Sequence, residues 1–145
     1  MYKHLLIASD GSELSQKAVD QGLALAKALG AKTTVVSVTE PWASVAYGEM
    51  AYGFPIEEYE KNAAETAAGI LSGTAEAAKK AGVACDIVHV KDHYPAEGII
   101  AAAKDRDCDL IVMASHGRRG LSRLMLGSQA NRVVTLSTVP VLICR

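Results

Sequence analysis

Leu110-Ile111-Val112-Met113-Ala114, Ser115-His116-Gly117-Arg118-Arg119-Gly120, Leu121 to Leu126 and Gly127-Ser128 form the stretch from which the rest of the chain is read. Five apolar residues between Asp109 and a polar, glycine-bearing loop predict a short buried strand. Gly127 and Ser128 then open a helix whose expected core contacts are Val133, Val134 and Leu136. A strand that runs into a loop and returns through a helix N-terminus suits an anion. The amide N–H groups at the helix start point one way, and the aligned peptide dipoles favour negative charge there. Gly117 and Gly127 lack Cβ, so a ligand can approach the backbone at both ends of the loop. Ser128 adds a hydroxyl, either as N-cap or as a phosphate contact.

Charge points the same way. All 16 acidic residues lie at or before Asp109, so residues 1–109 carry 10 basic and 16 acidic side chains, net −6. Residues 110–145 carry Arg118, Arg119, Arg123, Arg132 and Arg145 and no carboxylate, net +5. One region is thus free of carboxylates that would repel an anion. The bland alternative is that these arginines only keep a loop soluble.

Outward from this stretch, apolar runs alternate with helical patterns. Leu5 to Ser9 reads as a buried strand, and Asp10-Gly11-Ser12 as a turn that supplies a helix N-cap. Leu14, Ala18, Gly22, Leu25 and Leu29 recur at helical spacing until Gly30. Thr33 to Val38 is a β-branched second strand, and Pro41 to Phe54 is irregular and aromatic. Pro55 to Ala81 predicts a long helix closed by Gly82; Gly69 and Gly73 inside it suggest close packing of another element. Val83 to Val90 is a third strand, Pro95 to about Lys104 a helix with proline at its first position, and Val139 to Cys144 a fifth strand.

Strands apolar on both faces and alternating with helices imply an α/β fold, one five-stranded parallel sheet covered on both sides. Right-handed crossovers leave few arrangements. In the order 3-2-1-4-5 the chain reverses between the first and fourth strands, and ligands bind in the crevice at their carboxyl ends. Those ends are Ala8-Ser9-Asp10 and Met113-Ala114-Ser115.

Composition bounds the function. A chain of 145 residues that is half apolar suits one domain with a core of its own. A net charge of −1 makes no general case for nucleic acid or a membrane surface. Cys85, Cys108 and Cys144 are odd in number and lie in or beside apolar runs, as expected of buried thiols in a reducing compartment. No targeting segment or apolar run of spanning length is read, so the expected location is cytoplasmic.

Several chemistries are absent by motif. The first turn, Asp10-Gly11-Ser12, lacks the three glycines of the dinucleotide fingerprint, and neither a P-loop nor a nucleophile elbow occurs. His89, His93 and Cys108 make a poor zinc set. His116 has no evident orienting partner for general-base work. Trp42, Tyr47, Tyr52, Phe54 and Tyr59 are five of the seven aromatics. They read either as a lid over the crevice or, by preference, as packing for the long helix.

The spacing present is Gly117, nine residues, then Gly127-Ser128. With Ser115-His116-Gly117-Arg118-Arg119-Gly120-Leu121-Ser122-Arg123, the opening Ile7-Ala8-Ser9-Asp10-Gly11-Ser12 and the closing Val139-Pro140-Val141-Leu142-Ile143, it resembles the universal stress proteins along the whole chain, residues 1–145. The resemblance implies a Rossmann-like doubly wound domain that binds ATP. Asp10 would hold the ribose hydroxyls, and Ala8 and Val38 would line the adenine slot. Ser9 sits beside them, and Met113 and Ala114 would flank the adenosine. Gly117, Gly127, Ser128 and Gln129 would meet the phosphates, with Arg118 a candidate clamp. The sequence departs from the family's Gly-x-x-Gly at Ala114, which is harmless where φ is negative. Mg²⁺ or Mn²⁺ is expected on the phosphates rather than on protein ligands, and AMP and cyclic AMP are the other candidate ligands. The resemblance also implies a homodimer through the edge strand Val139–Cys144, which pairing across a two-fold axis would cover. Three functions remain open: a dimeric ATP-binding stress regulator with at most slow hydrolysis, a nucleotide hydrolase using His116 and Asp10, and an interaction module without nucleotide.

Overall fold

β1 (His4–Ala8) occupies the centre of the sheet, with β2 (Lys32–Val38) and β4 (Leu110–Ala114) hydrogen-bonded to its two sides. The computed structural model describes residues 1–46, 55–117 and 125–145. β3 (Cys85–Val90) and β5 (Val141–Cys144) are the edges of a five-stranded sheet ordered β3-β2-β1-β4-β5, with every pairing parallel. The fold and strand order are those read from the sequence.

Both faces are covered, which is why the central strands are apolar without alternation. Leu5, Ile7, Val35, Leu110 and Val112 pack against α1 (Glu13–Leu29) and α3 (Ile56–Ala81). Leu6, Val36, Ile111 and Met113 face α4 (Pro95–Asp105) and α5 (Ser128–Leu136) on the other side. A short α2 (Trp42–Val45) follows β2 in the segment expected to be irregular. Ser12 caps α1 by accepting from the Ser15 amide at 3.2 Å, and Gly30, at φ 65°, ends it.

Several expectations are corrected. β5 begins at Val141, not Val139: the Val139 amide donates to Ser137 Oγ at 3.1 Å, and Pro140, with no N–H, contributes only its carbonyl to the Ile111 amide at 2.9 Å. β3 likewise begins at Cys85, because the Val83 amide is spent closing α3 on Ala78 O at 2.9 Å. In α5, Val133 is fully buried but Val134 and Leu136 are 47% and 52% exposed. The helix is three turns at most and only one stripe of it meets the sheet. A Cβ at Gly69 or Gly73 would have nothing within 4 Å, so no close approach explains them. The close approach is at Gly22, where a Cβ would lie 2.7 Å from Ile7 Cδ1 and hold α1 off β1.

Candidate functional site

The crossover from β1 leaves through α1 on one face of the sheet, while that from β4 returns through α5 on the other. The loops therefore diverge, and a cavity opens over the carboxyl ends of β1 and β4. It measures about 810 Å³, within the ~300–1,000 Å³ usual for small-molecule sites. Ala8, Ser9, Asp10, Met113, Ala114 and Ser115 form its floor, and the end of β2 from Val36 to Glu40 one wall. Tyr59, Ala63, Ala67 and Ile70 of α3, Pro95 and Ile99 of α4, and Gly127 to Ala130 are among its other lining residues.

Local hydrogen bonds set the floor. The Ser9 amide donates to Val36 O at 3.0 Å and the Ser115 amide to Cys144 O at 2.8 Å, so each central strand keeps its ladder for one residue more before turning away. Asp10 Oδ1 accepts from the Ser12 amide at 2.9 Å, shaping the turn into α1 with Gly11 at φ 80°. Ser9 Oγ meets Ser15 Oγ at 3.2 Å beneath that turn.

Two glycines stand at close contacts, the one at position 127 against backbone. A Cβ at Gly117 would lie 2.8 Å from Asp10 Oδ2, so the β4 loop crosses directly over the carboxylate. The Gly127 amide donates to Ser115 O at 2.8 Å, and a Cβ there would stand 2.7 Å from the same oxygen. The loop's two ends are thus joined, and a side chain at position 127 would part them. A third close glycine escaped the sequence reading. A Cβ at Gly98 would lie 2.8 Å from Val38 Cγ1, so α4 holds Val38 against the cavity wall.

Ten of the eleven residues singled out from the sequence line this one cavity: Ala8, Ser9, Asp10, Val38, Met113, Ala114, Gly117, Gly127, Ser128 and Gln129. Arg118 lies outside the described residues, as do Tyr47, Tyr52 and Phe54. Ala114 ends β4, and Asp92 and Asp107 are the only described non-glycine residues at positive φ, so its methyl group carries no backbone strain. Ser128 is not the N-cap: Gly127 is, and it has no side chain with which to cap the first turn of α5. Gln129, which lines the cavity, also reaches α4: its Oε1 accepts from the Ala96 amide at 3.1 Å. Arg132 is engaged with Glu97 of α4 rather than with the crevice, and holds the Glu97 carboxyl below its usual range. Among the described lining residues there is no lysine or arginine. An anion would meet backbone amides there.

His116 does have an orienting partner, its Nδ1 lying 3.0 Å from Ser115 Oγ. His89 Nε2 lies 2.6 Å from Thr39 Oγ1, and His93 Nδ1 2.7 Å from Lys91 O. Tyr59 was expected as packing for the long helix. Its hydroxyl donates to Glu40 O at 2.7 Å, tying α3 to the end of β2, while its ring lines the cavity. Ala63, Ala67 and Ile70 gave no sequence signal because an alanine-rich helix shows little contrast between its faces. Cys85, Cys108 and Cys144 are free thiols; burial pushes Cys108 up to about 11.

The arrangement is that of a doubly wound α/β domain with an open crevice at its topological switch point. The universal stress protein family matches residues 1–145, and the chain belongs to that family. It is 33% identical over 152 residues to Universal stress protein YxiE of Bacillus subtilis, covering 100% of both chains. It is 36% identical over 145 residues, again 100% of both, to a universal stress protein of Thermus aquaticus from the QAH/OAS sulfhydrylase 3′ region. Among solved structures, a universal stress protein in complex with cAMP superimposes with a TM-score of 0.74 at 25% identity, over 99% of this chain and 97% of the other. No described helix is long and apolar enough to cross a membrane.

Proposed function

We propose that this chain binds an adenine nucleotide, foremost ATP with Mg²⁺ or Mn²⁺ on its phosphates, and acts as a homodimeric, cytoplasmic stress-response regulator rather than a dedicated enzyme. The observation that carries the reading is the convergence of both strand ends and the α5 N-terminus, whose N-cap Gly127 has no side chain, on one cavity of about 810 Å³. In this reading Asp10 accepts from the ribose hydroxyls, a role for which a carboxylate's paired oxygens are suited. Ala8, Val38, Met113 and Ala114 offer apolar contact to the base. The amides of Gly117, Ser128 and Gln129 receive the phosphates, with Gly127 giving them room and Arg118 adding charge. The cAMP complex of the similar protein supports adenine recognition by this fold and leaves AMP and cyclic AMP as the competing ligands. Hydrolysis is at most slow, because His116 is turned onto Ser115 and no described carboxylate orients it.

The test is Gly127→Val. The added side chain parts the Gly127–Ser115 contact, so affinity for Mg-ATP measured by titration calorimetry is expected to fall by at least about tenfold. Sedimentation of the same variant should still report the wild-type oligomer. Unchanged affinity would remove the assignment.

A further inference from the structure

The first turn of α4 is completed by side chains that belong to α5. At N1, Pro95 has no N–H to satisfy, and the N-cap Tyr94 makes no side-chain cap. The amide at N2 is that of Ala96, and it is taken by Gln129 Oε1 at 3.1 Å. At N3, the Glu97 carboxylate is held by Arg132. Gln129 and Arg132 are three apart on α5 and so share a face, and both reach the same turn of α4. Gln129 meanwhile is the second residue of α5, whose N-cap, Gly127, has no side chain. One residue therefore spans two helix N-termini: its side chain satisfies α4, and its backbone forms part of the α5 turn that borders the cavity.

We propose that Gln129, assisted by the Arg132–Glu97 pair, is a positioning residue that braces the ligand-facing turn of α5 against α4 and thereby sets phosphate affinity. This rests on the nucleotide reading above. The Gln129 side chain is not a phosphate ligand. It fixes where the amides of Ser128 and Gln129 stand, by anchoring the helix one residue inside its start. The face of α5 toward α4 is thereby settled before any ligand arrives, which lowers the ordering cost of binding. A nucleoside without phosphate makes no demand on this turn.

The experiment uses Gln129→Met, which keeps the length of the side chain and removes the acceptor. Hydrogen exchange of the Ala96 amide in ligand-free protein is expected to quicken by about five- to tenfold, the worth of one neutral hydrogen bond. Affinity for Mg-ATP is expected to weaken by a similar factor of about five to ten while affinity for adenosine stays within about twofold. Equal loss of ATP and adenosine would mark general structural damage and overturn the proposal, as would ATP affinity equal to the wild type. Wild-type protein that binds neither ATP nor adenosine would remove the function proposed above and the ligand half of this inference. The exchange measurement would still decide the brace, since unchanged Ala96 protection overturns it.

Discussion

At the residue scale, contacts of a few atoms decide what each position tolerates. His4 illustrates this outside the crevice. Its Nε2 lies 2.8 Å from Thr34 Oγ1 in the buried sheet. Burial, then Lys32, lowers its pKa from 6.5, against the opposing pull of Asp109, Asp86 and the Arg106 backbone. The unfolded chain therefore takes up this proton first. Stability is full above 6.5 and is lost as pH falls from there through the lowered folded value. Melting temperature is expected to decline as pH falls below about 6.5, and His4→Gln should flatten that decline. His89, also lowered by burial and by Lys91, adds a loss of the same sign, so some slope persists in the variant. An equally steep decline in His4→Gln would show that His4 does not carry it.

At the element scale, helix-to-sheet distance is set by two glycines that face the strands and not by the two that interrupt α3. A Cβ at Gly98 would stand 2.8 and 2.9 Å from the two Val38 methyl carbons, which have a stiff branch point and little room to yield. Gly98→Val is expected to cost about 1–3 kcal/mol through overpacking. Gly73→Ala meets nothing within 4 Å and should gain about 0.5–1 kcal/mol from helix propensity alone. Thermal unfolding at neutral pH reads both, the first as a fall and the second as a rise of roughly 2–4 °C per kcal/mol. A fall in both would mean that Gly73 also has a neighbour to accommodate.

At the scale of the whole molecule, β3 and β5 are the two edges of the sheet, and β5 carries an exposed apolar side chain. Leu142 on β5 is 39% exposed, on the face opposite to Val141 and Ile143, which pack toward α5. An edge with such a side chain is a pairing hazard unless a partner covers it. The proposed dimer places this edge against its own copy, self-complementary about a two-fold axis. Leu142→Lys is expected to turn the dimer into a monomer in analytical ultracentrifugation while leaving the cavity's ligand affinity within about twofold. A dimer that persists would move the interface elsewhere.

Strand order and the crevice were legible in the chain because they follow from continuous properties. Apolar runs alternating with helical patterns admit few doubly wound arrangements, and the switch point falls at the ends of β1 and β4 by topology alone. That Gly117, Gly127 and Asp10 line the crevice was legible as well, since they follow the ends of β1 and β4 or open the helix that returns beside them. The partners of individual side chains were not. Nothing in the order of residues says that Gln129 turns to Ala96, that Arg132 meets Glu97, or that His116 leans on Ser115. Those depend on how far α5 slides along α4, a distance set by packing between segments more than thirty residues apart. Sequence alone determined the layered sheet and the place of its opening, because local pattern and chain handedness suffice for both. Only the tertiary structure decided which groups face the opening and which are spent holding its walls, because that division is made by contacts between elements.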